Sequence, residues 1–171
     1  MKSKINTLIG IYEMVGGIMG VYFLIVHGRV PKLENYQLLA VIITFFILTL
    51  YVLSSIGGFL LWRGKENGLV ISIIVQIFQI PYILTASCIY SVASGAHILA
   101  GIGISTNIFK IILYGHVIPY FEIYFENVVK YNVIVVNIIP IIIILHIIRV
   151  QKIAKSSKLE SKMKCTVGSA I

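Results

Sequence analysis

The sequence predicts an all-α polytopic membrane protein, with four transmembrane helices and a small β-rich extracytoplasmic segment between the third and fourth. Three observations carry that reading. Of the 171 residues, 58% are hydrophobic and only 12% charged, half the share of about 25% in an ordinary soluble domain. The mean hydropathy is +0.99. The apolar residues gather in four runs, Leu8–Val26, Leu38–Trp62, Leu69–Ala93 and Tyr131–Ile148, each near the roughly 20 residues that span a hydrocarbon core as a helix. A soluble chain of this size buries one core, but it cannot hide four such runs. The expected organisation is a transmembrane domain over residues 1–149, with 94–130 outside the bilayer, followed by a basic cytoplasmic tail over 150–171.

The first run follows a short basic start with Lys2 and Lys4. It is longer than the apolar core of a secretory signal and no small-residue cleavage site follows it, so it reads as an uncleaved helix. Gly16 and Gly20 stand four apart with Gly17 between them, a spacing that lets another helix come close. Glu13 is the one acid inside any apolar run. A carboxylate at that depth is costly and points to function. The competing reading is a helix that begins later and leaves Glu13 among the headgroups.

A polar connection over residues 28–37, broken by Pro31, leads to the second run. That run carries no charge, has a small-residue patch at Ser54, Ser55, Gly57 and Gly58, and ends on Trp62, where an interfacial aromatic belongs. The link Arg63–Asn67 is so short that the second and third helices must be antiparallel neighbours.

The third run holds the most polar side chains. Ser72, Gln76 and Gln79 recur at four and three residues and so share one helical face, which Ile83, Ala86 and Tyr90 would continue. Pro81 is expected to kink the helix. An amide in lipid has nothing to pair with, so this stripe should face other helices or a wet cavity. It is read either as interhelical glue or as a polar site beside the kink.

Residues 94–130 contain three β-branched or aromatic stretches, Ile98–Ile104, Ile108–Tyr114 and Tyr120–Glu126, punctuated by Gly101, Gly103, Gly115, Asn107 and Pro119. They read as a small antiparallel sheet or hairpin. The rival is a fifth helix across Ile98–Ile118. Charge decides between them. With four helices, ten of the fourteen Lys and Arg residues lie on the side of both termini, and the positive-inside rule makes that side cytoplasmic. A fifth helix would send the basic tail outward. The last run carries Asn132, Asn137, Pro140 and His146, and the tail follows it without a further apolar run.

The net charge of +8 would suggest nucleic acid as the partner of a soluble protein. Here the positive residues cluster at the ends of apolar runs, so they read as orientation signals and, in the tail, as contacts to anionic lipids. Nucleic acid is not an expected partner. Cys88 and Cys165, the two cysteines, are placed in different environments and have no metal or redox spacing. The histidines 27, 97, 116 and 146 form no ligand pair at helical spacing. An outer metal site joining three of them to Glu122 or Glu126 is conceivable, but surface histidines are the plainer reading. There is no phosphate loop, nucleophile elbow or dinucleotide fingerprint. No catalytic residue, metal or cofactor is therefore expected.

The functional expectation is a non-enzymatic structural or accessory subunit in a bacterial cell membrane, both termini cytoplasmic. It would associate through Gly16, Gly20, Gly57 and Gly58 into a homo-oligomer or a larger complex. The alternative is a small oligomeric transporter or channel-like protein with a polar path near Glu13, Gln76, Gln79 and Asn137.

Overall fold

The computed structural model describes residues 4–26, 37–85, 89–105, 108–116, 120–124 and 132–168. The connection after the first run with His27, and Cys88, Pro119 and Glu126, lie outside these residues. Helix α1 covers Lys4–Val26 and α2 covers Gln37–Trp62. Helix α3 is Glu66–Gln79, and six strands follow: β1 Pro81–Leu84, β2 Ile89–Ala93, β3 His97–Ser105, β4 Ile108–His116, β5 Tyr120–Tyr124 and β6 Asn132–Asn137. Helix α4, Ile138–Gly168, closes the chain.

The all-α, four-span architecture expected from the runs is therefore wrong. Among the described residues two helices, α1 and α2, are long and apolar enough to cross a membrane, and α3 is a shorter apolar helix. The strands form one sheet in the order β4-β3-β6-β1-β2-β5, and every pairing is antiparallel. Three of the six strands fall in the 94–130 segment. The other three come from runs that were counted as membrane helices.

The third run fails as a helix at Pro81. Its ring removes a donor and crowds the preceding turn, and the residues after it, Tyr82, Ile83 and Leu84, favour strand. The proline ends the helix where a kink was expected. Ile83 and Tyr90, in β1 and β2, consequently do not continue the glutamine stripe, and Ala86 lies outside the described residues. In the fourth run, Val133, Ile134, Val135 and Val136 are β-branched in succession and pair with β1 and β3. Asn137 then starts α4: its Oδ1 accepts the Ile139 amide at 3.3 Å, the bond of an N-cap. Pro140 lies in the first helical turn, where its missing donor is not needed. The helix continues through the basic tail to Gly168.

A strand that is apolar on both faces has no polar alternation, and so resembles a membrane helix in sequence. The register shows this arrangement. Ile102 stands opposite both Ile111 and Ile134, and Ala100 opposite both Leu113 and Val136. All of these but Ala100 are exposed. The other face buries Leu99, Val133 and Val135, with Tyr82, Leu84 and Ile112 packed against them.

Helices α1 and α2 cross closely, and the turn to α3 is set by a glycine. Gly64 has φ 73°, its amide bonds to Leu61 O at 2.9 Å and the Lys65 amide to Leu60 O at 2.9 Å. That is a Schellman ending, which needs a left-handed residue at this position. Two apolar clusters hold the elements together. Leu24, Ile47, Leu50 and Tyr51 enclose Val92 of β2. Leu61 and Leu69 pack on Ile143 and Ile147, which brings α4 alongside α3.

Candidate functional site

The polar residues of the helices meet between α1, α2 and α3. Glu13 lies on the α1 face that also carries Gly16, Gly17 and Gly20, and it is fully buried (0% exposed). Its placement rests on small neighbours: an added Cβ at Gly10 would lie 2.6 Å from Gly58 O, and one at Gly58 would lie 2.5 Å from Gly10 O. No side chain larger than hydrogen fits at either position without moving backbone. With the helices this close, Ser54 Oγ of α2 donates to the Glu13 main-chain carbonyl at 3.1 Å.

From α3, the hydroxyl of Ser72 donates to Glu13 Oε1, and Gln76 Nε2 donates to the same oxygen at 2.7 Å. These two residues are one turn apart, so their side chains reach the same carboxylate. Glu13 Oε2 and Gln76 Oε1 are buried and have no hydrogen-bond partner among the described residues. Nor does a cation pair with Glu13 there.

One turn further along α3, Gln79 does different work. Its Nε2 donates to Ser94 Oγ at 2.9 Å, and its Oε1 accepts the Ser94 amide at 3.1 Å. The residue thereby fastens the end of β2 to the helices. Gly16 sits against this point, where an added Cβ would overlap the Ser94 carbonyl. Tyr12 OH donates to Ala96 O at 2.7 Å, and Tyr90 OH of β2 donates back to Phe78 O at 2.8 Å. Burial pushes the Tyr90 hydroxyl up to about 12, so it remains a donor well above neutral pH.

Of the four polar residues singled out in the sequence, Glu13 and Gln76 are bonded to each other, and Gln79 lies beside them but is engaged by Ser94. Asn137 stands at the β6–α4 junction, where its Oδ1 also accepts the Ile98 amide at 3.1 Å and its own amide donates to Ile80 O, next to Gln79, at 2.8 Å. The glycines chosen for association face inward: Gly20 packs on the Tyr51 ring, and Gly57 approaches Ile71. The register sets His97 opposite His116, and His146 Nε2 lies 3.0 Å from Asn6 Oδ1. Among the described residues no three His, Cys, Asp or Glu side chains gather as a metal site would require.

Sequence reasoning placed Ser72 with the glutamines, because helical spacing marks a shared face. It missed Ser94, Tyr12 and Asn6. Ser94 and Ala96 follow a strand that sequence read as helix, so no spacing rule could connect them to Gln79 or Tyr12. Comparison with family models, with curated proteins and with solved structures finds no match to this chain.

Proposed function

We propose that this chain is a small membrane-anchored protein with a structural or accessory role, held in the bilayer by the α1–α2 pair. The observation that carries the reading is the outer surface of that pair. Leu8, Ile11, Val15, Ile18, Tyr22 and Ile25 of α1 are exposed, and so are residues along the whole of α2, from Leu38 to Trp62. About a third of each apolar window or less is buried within the chain: 33% for α1 and 28% for α2. The core helix of a soluble fold would bury far more, and lipid is the solvent that tolerates such a surface.

The inner surface supports a packing role over a transport path. Gln79 and Asn137 are engaged in bonds that join secondary-structure elements, and the glycines bring α1 and α2 together within one chain. Association with a second copy or a larger membrane complex then uses the outer apolar surface, and the basic end of α4 meets anionic headgroups.

The test is crosslinking of the tagged full-length chain in native membranes, after alkaline washing of the membrane fraction. The expected result is retention in the washed membranes and a defined oligomer or complex that survives Gly20→Ala. Release by the wash overturns membrane anchoring. Flux of protons or alkali cations through vesicles of the purified chain, absent from empty vesicles, overturns the accessory role.

A further inference from the structure

We propose that Glu13 and Gln76 form a proton-binding site, in which Glu13 carries a proton on Oε2 and donates it to Gln76 Oε1. The inference rests on the bundle geometry and stands apart from the accessory reading.

The donors and acceptors can be counted. Oε1 of Glu13 accepts twice, from Ser72 and from Gln76 Nε2. Glu13 Oε2 and Gln76 Oε1, one from each member of the bonded pair, are left over as buried acceptors. Two acceptors with no donor between them are an expensive way to end a buried network. One proton on Oε2 satisfies both. Acid and amide then pair head to head, with N–H to O in one direction and O–H to O in the other. A metal ion such as calcium takes about six to eight oxygens, whereas the unsatisfied oxygens here number two.

Among the described residues, the surroundings supply no other charge to balance a carboxylate. On α1 the adjacent titratable group is Tyr12, whose hydroxyl is directed to Ala96 O. The α2 side presents Ser54 and Tyr51, and α3 presents Ser72 and Gln76. On α4, His146 lies against Asn6, nearly two turns from Glu13 along α1. Lys4, Arg63, Lys65 and Arg149 lie near the ends of the apolar segments, and no ion pair to Glu13 forms among the described residues.

Infrared spectroscopy of the full chain in phosphatidylcholine vesicles tests the site directly. The native protein should show a protonated carboxyl stretch at neutral pH that is absent from Glu13→Gln. That variant should fold with near-native thermal stability, because its amide supplies the same donor at the Oε2 position. Gln76→Leu should move the band to higher frequency by removing both the acceptor of the proton and the Nε2 donor to Oε1. Raising the pH should convert the band to carboxylate in the native protein and leave Glu13→Gln unchanged. Carboxylate absorption alone at neutral pH, or a band unmoved by Gln76→Leu, overturns the proposal. So does a Glu13→Gln variant as unstable as Glu13→Leu, or a carboxyl band that disappears when sodium replaces a bulky organic cation.

Discussion

The α1–α2 pair and the sheet are both apolar outside, but they are assembled by opposite means. In the helix pair the small residues Gly10, Gly17, Ser55 and Gly58 let the backbones meet, Leu24, Ile47, Leu50 and Tyr51 are buried together, and many of the large apolar side chains point outward. In the sheet the large side chains form the internal contact as well, with Leu99, Val133 and Val135 on one face and Ile111, Leu113 and Ile134 on the other. The helix pair satisfies its backbone within each helix, while the Glu13 side chain draws its partners from α3. The sheet depends on its register and on being fastened to the helices. Hydropathy does not distinguish the two regions. What separates them is where small residues, prolines and β-branched residues fall.

If the regions are distinct units joined at Ser94, then damage at that joint should free the sheet and leave the helix pair intact. Gly16→Leu is the severest case, because its side chain would have to occupy the Ser94 carbonyl. Overpacking of this kind costs up to about 3 kcal/mol. Hydrogen exchange in lipid vesicles should show faster exchange in β2 and β3, with protection in α1 and α2 retained. Equal loss in both regions would mean that they unfold as one unit. Gln79→Leu is milder. It leaves the buried Ser94 amide without its acceptor, at a cost of about 2 kcal/mol, read as a lower unfolding temperature. A double-mutant cycle with Ser94→Ala should show coupling from the Oγ bonds alone, since Ser94→Ala keeps the amide that Gln79 Oε1 accepts.

The helix pair was legible in the sequence because nothing interrupts it: neither run contains a proline, and the one acid, Glu13, is matched by partners that helical spacing already grouped. The glutamine stripe was legible to Gln79 for the same reason. Beyond that, run length misled. Leu69–Ala93 and Tyr131–Ile148 have the length and hydropathy of spans, yet each divides into helix and strand at a short local signal, Pro81 in one and Asn137-x-x-Pro140 in the other. Strand pairing brings Val135 opposite both Tyr82 and Gly101, a long-range fact that no local period encodes. The site was half legible for a related reason. Glu13, Ser72 and Gln76 lie on helices with readable faces, whereas Ser94 and Ala96 are positioned by β2, which lies inside the run read as the third helix.

Asn137 offers a sharper test of how one of those divisions is set. Its side chain accepts from Ile139 as a helix cap and from Ile98 across the sheet, so Asn137→Ala should cost about 1 kcal/mol, with fraying at the first turn of α4. Asn137→Asp should restore most of it, because the acceptor returns at a helix N-terminus that favours negative charge.

The smallest effect belongs to Tyr90, at one of several bonds between the β2 region and the helices. Tyr90→Phe removes one hydrogen bond to Phe78 O and should lower stability by about 1 kcal/mol or less at neutral pH. The sign of its pH dependence is distinctive. The folded protein holds the Tyr90 proton more tightly than the unfolded chain, because burial raises the hydroxyl from 10.0 to about 12. This contribution is complete below pH 10 and is lost as the pH rises through that interval. Native protein should therefore be the more stable of the two at pH 8, and that advantage over Tyr90→Phe should shrink and disappear as the pH rises from 10 toward 12. A difference that stays constant across that range would mean that the hydroxyl is solvated, and that β2 is held to the helices by its other contacts, the Gln79, Tyr12 and Tyr51 bonds and the packing of Val92.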